Sequence, residues 1–213
     1  MQKYIALLKK LISTPSFSKE EENAAEVMRN FLKNEGIGFS TKENNTWAFN
    51  KHFSKEKPTI MLNSHIDTVC PAKGYKLDPF SPIEKGDQLF GLGSNDAGGP
   101  LVSLLATFVH FYERNNLPFN LVFAATAEEE ISGRRGLEIV LPKISPFAFA
   151  IIGEPTSMEL AIAEKGLLVL DCYAHGKSGH AARDEGENAL YKALDDIQKL
   201  RDFKFDKISE VLG

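Results

Sequence analysis

Residues 59–67 read TIMLNSHID, an apolar run that ends in a histidine and an aspartate. Two further stretches have the same form, FNLVFAATAEEE at 119–130 and FAFAIIGE at 147–154. Short apolar runs of this kind are typical of buried strands, and helical patterns at 97–114 and 136–141 separate them. Strands that alternate with helices predict an α/β fold with a mixed, mostly parallel sheet flanked by helices.

The N-terminal part of the chain adds helices and short strands to this core. One helix is expected over residues 4–12, and Ser18, followed by glutamates, predicts the N-cap of a second helix. Short strands are expected at 37–41 and 46–50. A Pro- and Gly-rich loop at 71–93 is long enough to suggest a functional role.

The pattern changes after Glu164. Residues 167–174 predict an amphipathic strand, a Gly/Ser loop follows, and Asn188 predicts the cap of a helix. One such β–α unit buries too little surface to be stable by itself. We therefore divide the sequence into a first domain at 1–163 and the beginning of a second domain at 164–213.

The composition is that of an ordinary globular protein. Of the 213 residues, 25 are Lys or Arg, 29 are Asp or Glu and 43% are hydrophobic, so the formal charge is −4. The apolar fraction is sufficient for a core and excludes bulk disorder. The chain has no basic cluster and no apolar run long enough to span a bilayer, so we expect neither a nucleic-acid nor a membrane partner. Because the N-terminus does not have the form of a signal peptide, and Cys70 and Cys172 lie far apart, we expect a cytoplasmic location.

Histidine and acidic side chains follow the predicted strands. In α/β sheets the carboxyl ends of the strands line the ligand crevice. Imidazole nitrogens and carboxylate oxygens together suit Zn²⁺ or a similar divalent ion. The candidate residues are His65, Asp67, Asp96, Glu128, Glu129, Glu130 and Glu154.

Each candidate also has a simpler interpretation. His65 and Asp67 could form an ordinary hydrogen-bonded pair, Asp96 could cap a helix, and the glutamate run could be a solvated acidic turn. Likewise, His180 could be an exposed loop histidine. A cation would relieve the repulsion between neighbouring carboxylates, which favours a metal centre. Adjacent glutamates point in different directions, so one could bind metal while its neighbour acts as a general base.

Several segments occur together in the order typical of one known enzyme family. In combination they resemble the dizinc peptidases and deacylases that include acetylornithine deacetylase, succinyl-diaminopimelate desuccinylase and glutamate carboxypeptidase. The short form of the chain is most similar to the acetylornithine deacetylase branch. The matching segments are SHID at 64–67, GLGSNDAGG at 91–99, TAEEE at 126–130, GEPT at 153–156, and GH at 179–180 followed by GENA at 186–189.

The resemblance implies a pair of Zn²⁺ ions, with Co²⁺ or Mn²⁺ as substitutes. His65 and Glu154 would bind one zinc, Asp96 would bridge both ions, and Glu130 would bind the second. The family also often has a cis peptide after the bridging aspartate, here between Asp96 and Ala97.

Three further residues receive roles from the resemblance. Glu129 would be the general base, and Asp67 would orient the imidazole of His65. The second domain would be a lid or dimerisation domain, from which His180 would reach the active site of a partner subunit and polarise the scissile carbonyl. The resemblance thus implies a homodimer when the protein is full length.

The implied reaction is hydrolysis of a linear amide that removes an acyl group from a small N-acyl amino acid. The first candidate substrate is N-acetylornithine, or N-succinylornithine, in arginine biosynthesis. Desuccinylation of succinyl-diaminopimelate and dipeptide hydrolysis are the alternatives within the family. The family's second zinc takes a further histidine from a C-terminal stretch, so we also expect an N-terminal fragment that could be inactive.

Overall fold

The apolar runs of the first half of the chain pair into one five-stranded sheet. We describe it from a computed structural model that covers residues 1–180, 182–183 and 185–212. The chain divides into two units, Met1–Met158 and Glu159–Gly213, and the sheet belongs to the first. Its strands are β1 (Ser40–Lys42), β2 (Asn45–Phe49), β3 (Thr59–His65), β6 (Asn120–Thr126) and β7 (Phe149–Ile152), in the order β1-β2-β6-β3-β7.

Strands β6, β3 and β7 run parallel, whereas β1 and β2 are antiparallel additions at one side. The register pairs His65 of β3 with Thr126 of β6, and Asn63 of β3 with Ile152 of β7. The carboxyl ends of the three parallel strands therefore lie at the same edge of the sheet. This arrangement confirms the predicted mixed, mostly parallel α/β sheet.

Helices cover both faces of the sheet. On one face, α1 (Gln2–Ile12), α2 (Glu22–Asn34) and α3 (Gly99–Phe111) pack against residues such as Leu62 and Phe123. On the other face, α4 (Leu137–Ile144) packs against Met61, Val122 and Trp47. Neighbouring residues of one strand thus enter opposite cores, which explains why the central strands contain consecutive apolar residues.

The predicted loop at 71–93 contains two short strands that were not predicted. Strands β4 (Ile83–Lys85) and β5 (Gln88–Phe90) form a two-stranded hairpin within it. The first strand was also predicted too early, at 37–41 instead of at β1. These strands are three residues long, which is too short for a periodic pattern to stand out.

Ser18 is not the N-cap of α2, contrary to the prediction. Glu21 precedes the first helical residue, and the Ser18 hydroxyl donates a hydrogen bond to Asp67 Oδ2 at 2.7 Å. A hydroxyl can satisfy either partner, and the carboxylate that Ser18 binds is 49 residues away in sequence. Local sequence therefore could not distinguish a helix cap from a hydrogen bond to a distant carboxylate.

The second unit contains α5 (Ala189–Asp202), and Asn188 caps it as predicted by accepting the N–H of Leu190 at 2.9 Å. The strand predicted at 167–174 is wrong, because these described residues carry no regular secondary structure and are exposed. A strand needs a hydrogen-bonded neighbour, and an isolated amphipathic pattern cannot supply one. The structure separates the units after Met158, whereas the domain boundary after residue 163 and the lid role stay predictions.

No helix among the described residues is both long enough and apolar enough to cross a bilayer.

Candidate metal centre

His65 is the centre of the candidate site. It ends β3 and is 2% exposed. Its Nδ1 lies 2.9 Å from the main-chain oxygen of Asp67 and 3.4 Å from the Oδ1 of the same residue. With Nδ1 donating to that carbonyl, Nε2 of a neutral imidazole is left with a free lone pair for a metal ion.

Asp96 lies directly opposite Nε2 of His65. It sits on an irregular turn, Ser94–Gly98, that leads into α3, and its Oδ1 is 3.1 Å from Nε2. Gly93 precedes the turn at φ 72°, a left-handed conformation that favours glycine. The peptide bond between Asp96 and Ala97 is cis, as the family resemblance implied.

Two glutamates approach His65 from the loop after β6. The Oε2 of Glu129 is 3.8 Å from His65 Nε2. Glu130 offers a carboxylate oxygen in a group with His65 and Asp96 whose three ligand atoms all lie within 4.8 Å of one another. The third glutamate of the run, Glu128, is buried and accepts the N–H of Arg135 at 3.3 Å.

Glu154 completes the cluster from the end of β7. Its Oε2 is 3.9 Å from His65 Nε2. The preceding residue, Gly153, is bonded to β3 through both of its main-chain polar groups. Its N–H donates to Asn63 O at 2.7 Å, and its carbonyl accepts the Ser64 hydroxyl at 2.8 Å. The backbone next to Glu154 is thus held to the strand that carries His65.

The electrostatics of the cluster are those of a site with excess negative charge. Burial by itself lowers the pKa of His65, but the hydrogen bond and charge of Asp67, with Glu154 and Glu129, raise that pKa to about 9. Burial raises the pKa of Glu130, and the charge of Asp96 raises it further. The pKa of Glu154 is also raised, first by burial, against the opposing charge of His65.

The pKa of Asp67 shifts in the opposite direction from the pKa values of Glu130 and Glu154. Burial would raise its pKa, but hydrogen bonds from His65, Ser18 and the N–H groups of Glu129 and Glu130 lower it. A carboxylate that accepts several hydrogen bonds is stabilised in its charged form. Asp67 therefore stays ionised. It is bonded both to His65 and to the loop after β6 that carries Glu128, Glu129 and Glu130, which we call the glutamate loop.

The residues present fit a divalent cation. One imidazole nitrogen and several carboxylate oxygens converge, at separations that an ion bonded at about 2.0–2.2 Å can bridge after small side-chain rotations. A cation would also offset the repulsion that raises the two glutamate pKa values. An open cleft of about 400 Å³ adjoins the cluster, with His65, Glu129 and Glu154 in its wall.

The structure thus brings together His65, Asp67, Asp96, Glu129, Glu130 and Glu154, while their individual roles stay predictions. His180 belongs to the second unit, where its Nδ1 accepts the N–H of Ala182 at 3.2 Å, and its role also stays a prediction. Two buried side chains that bind the main chain of the glutamate loop, Glu21 and Asn45, were not predicted from the sequence. A buried acid in a helical first turn looks the same in sequence as an exposed one.

Comparison with known proteins finds a family match and named relatives. A family model described as Peptidase family M20/M25/M40 matches residues 61–207. A succinyl-diaminopimelate desuccinylase of Wolbachia pipientis is 29% identical over 220 residues, covering 95% of this chain and 54% of that protein. Its counterpart in Buchnera aphidicola is 30% identical over 94% of this chain and 57% of its own length. The chain therefore spans about half the length of the curated relatives it matches.

Solved structures share the fold. A tripeptidase from Staphylococcus aureus superposes with a TM-score of 0.62 at 20% identity, covering 93% of this chain and 56% of that chain. An M20 family metallo-carboxypeptidase from Sulfolobus solfataricus gives a TM-score of 0.57 at 22% identity, over 72% of this chain and 37% of that chain. The match of the family model over residues 61–207 shows that the chain belongs to peptidase family M20/M25/M40.

Proposed function

We propose that this chain carries the metal-binding part of a hydrolase that cleaves the amide bond of a small N-acyl amino acid. The convergence of carboxylates on Nε2 of His65 is the observation that carries the proposal. Asp96, Glu129 and Glu154 each have an oxygen within 3.9 Å of that nitrogen. Membership of a peptidase family supports hydrolysis as the class of reaction.

We assign the metal-binding role to four residues. His65 and Glu154 would hold one Zn²⁺, Asp96 would bridge two ions, and Glu130 would hold the second. When bound, the ions would lower the pKa of a water molecule and polarise the scissile carbonyl.

Glu129 moves the proton in this proposal. Its carboxylate faces the cluster from the wall of the open cleft, where both water and substrate can reach it. It takes a proton from the attacking water and returns that proton to the leaving amine, which is ordinary general acid–base catalysis. Asp67 keeps His65 in place, and its two bonds to the N–H groups of Glu129 and Glu130 keep the base next to the ligand.

The acyl group is the less defined part of the substrate. Two relatives are named succinyl-diaminopimelate desuccinylases, so N-succinyl-diaminopimelate is the first substrate to test. N-Acetylornithine and N-succinylornithine, which the sequence resemblance placed first, are also N-acyl amino acids and belong in the same assay. A dipeptide represents the peptidase activity named for solved structures of the same fold.

The remaining expectations are proposals for the whole protein. It would act in the cytoplasm as a homodimer, with small-molecule substrates and without a nucleic-acid or membrane partner. In the dimer, His180 of one copy would stabilise the oxyanion in the site of the other copy.

The test is metal uptake together with hydrolysis. The chelator-treated chain is titrated with Zn²⁺, the bound metal is counted by elemental analysis, and the loaded chain is assayed on the four substrates. We expect zinc uptake that Glu130→Gln weakens and that Glu56→Gln, a change at an exposed carboxylate, leaves unaltered. Failure to bind zinc overturns the metal site, whereas bound zinc without turnover of any substrate identifies a metal-binding chain without activity.

A further inference from the structure

The loop that carries the glutamates is held by side chains from the N-terminal third of the chain. Four consecutive N–H groups each donate to a side-chain oxygen. Ala127 donates to Asn45 Oδ1 at 3.0 Å, Glu128 to Glu21 Oε1 at 3.2 Å, and Glu129 and Glu130 to the two oxygens of Asp67 at 3.1 Å each. After β6 ends, these donors leave the sheet and need new partners.

Glu21 is an unusual residue to find in this position. Its carboxylate is 1% exposed, and the groups that reach it are neutral donors: the N–H of Lys19 at 2.6 Å, the N–H of Glu128 and the amide of Asn44 at 2.8 Å. Burial of a carboxylate is unfavourable unless hydrogen bonds compensate for the lost water. Here the compensation comes from Lys19 in the segment before α2, from Asn44 between β1 and β2, and from Glu128 in the glutamate loop, so Glu21 joins all three segments.

Asn45 holds both ends of the same loop. It is fully buried, and while its Oδ1 accepts the N–H of Ala127, its Nδ2 donates to Arg135 O at 2.7 Å and to Lys42 O at 3.0 Å. The residue where the loop leaves β6 and the residue where it approaches α4 are therefore attached to one side chain.

The bond from Glu128 to Glu21 lies at an unusual point of the backbone, directly before Glu129 and Glu130. Glu128 has φ 56°, a left-handed conformation that non-glycine residues rarely adopt. Its N–H is fixed by Glu21 in that conformation, and the chain reverses there. As a result Glu128 is buried, whereas Glu129 and Glu130 approach His65.

We propose that Glu21 and Asn45 are positioning residues for the metal centre: by holding the N–H groups of residues 127 and 128, they orient Glu130 as a ligand and Glu129 as the base. The inference rests on the proposed function. Neither residue touches the cluster itself, so the effect passes through the backbone of the loop.

The experiment combines Zn²⁺ titration with amide hydrogen exchange on the whole chain. Glu21→Gln keeps the size of the side chain but removes its charge and one acceptor oxygen, and a neutral amide oxygen accepts the N–H of Glu128 more weakly than a carboxylate does. Groups that orient metal ligands are worth about 10- to 100-fold in metal affinity, and we expect a loss in that range for Zn²⁺. Exchange at residues 128–130 should rise at least about tenfold, while exchange in β3 and α3 stays unchanged.

Glu26→Gln is the matched control. It makes the same substitution on α2 at an exposed carboxylate, which accepts a hydrogen bond from the neighbouring side chain of Asn30 at 3.0 Å. It should leave both Zn²⁺ affinity and exchange as they are. A purely structural role for Glu21 would raise exchange throughout the first unit without a local maximum at 128–130, and that outcome overturns the proposal.

The unsubstituted chain provides a measurement that does not depend on any variant. Without metal, the amides of residues 127–130 should already exchange as slowly as those of β3, since side chains rather than zinc hold them. Free exchange at these amides contradicts the positioning role. If the chain binds no zinc but protects these amides, the proposed metal function fails while the preorganised loop stands.

Discussion

At the scale of single residues, the chemistry of the site depends on the two glutamates that follow each other after β6. Glu130 belongs to the group that could bind an ion, whereas Glu129 faces the cleft. Replacing Glu129 by Gln removes the proton acceptor but keeps the shape of the side chain. We expect turnover of whichever amide the loaded chain hydrolyses to fall by about 10²- to 10⁴-fold, the usual contribution of a general base.

Zinc content distinguishes this effect from loss of the metal. Elemental analysis should find the same zinc in Glu129→Gln as in the unsubstituted chain. Turnover close to normal in this variant would remove Glu129 from the mechanism.

The protonation of His65 makes zinc binding depend on pH. Because its pKa is raised from 6.5 to about 9, the metal-free chain carries a proton on His65 at neutral pH, and zinc must displace it. As pH falls below about 9, proton competition should weaken zinc affinity by about tenfold per unit. Glu130 and Glu154, whose pKa values are also raised, should make the dependence steeper on the acid side.

Calorimetry in buffers of different ionisation enthalpy measures this coupling. One proton released per zinc at the first site is expected between pH 7 and 8, and none well above pH 9. An affinity that stays constant from pH 7 to 9 would show that His65 is already neutral in the metal-free chain.

At the scale of elements, the loop between β6 and α4 must close tightly. A Cβ added at Gly133 would lie 2.5 Å from the Cβ of Glu128, which itself is buried. Gly133→Ala should therefore lower the free energy of unfolding of the first unit by about 1–3 kcal/mol, as overpacking does. Zinc affinity should fall as well, because the displaced backbone carries Glu129 and Glu130.

Urea unfolding followed by the fluorescence of Trp47, the single tryptophan, reports on this unit. Gly38→Ala is the control, since an added Cβ there meets nothing within 4 Å. Equal stability of the Gly133 and Gly38 variants would mean that the loop relaxes without strain.

At the scale of the whole molecule, the sheet leaves apolar side chains exposed at its edge. Phe149 is 53% exposed and Ile151 is 44% exposed on β7, which lies at one end of the strand order. Exposed apolar edge strands promote association. We expect the sedimentation-derived mass of the chain to rise with concentration.

Ile151→Lys should weaken this association at least about fivefold, which corresponds to about 1 kcal/mol. Thr107→Lys, which adds the same charge on the exposed side of α3, should not. A monodisperse monomer at all concentrations would contradict the prediction.

The parts of the fold that could be predicted are those whose signal is local. Strands β3 and β6 stand out in the sequence because both of their faces are buried, so each contains a long apolar run. Strand β7 is also apolar, although its side chains are largely exposed. The strand expected at 167–174 was wrong because a strand also needs a hydrogen-bonded neighbouring strand, which a local pattern does not reveal. Similarly, the bonds of Ser18 and Glu21 could not be predicted, because their partners are distant in sequence.

The sequence by itself determined the type of sheet and the edge where His65, Glu154 and the glutamates at 128–130 would gather, whereas the choice of Asp96 and Glu130 as ligands came from the family resemblance. Periodicity and strand direction are sufficient to predict the sheet and this edge, because parallel strands all end at one edge. Only the tertiary structure decided the distances around Nε2 of His65. It also decided the hydrogen bonds that the glutamate loop donates to Glu21, Asn45 and Asp67. The bonds to the glutamate loop join residues 62 to 107 apart in sequence, and their geometry exists only after the chain has folded.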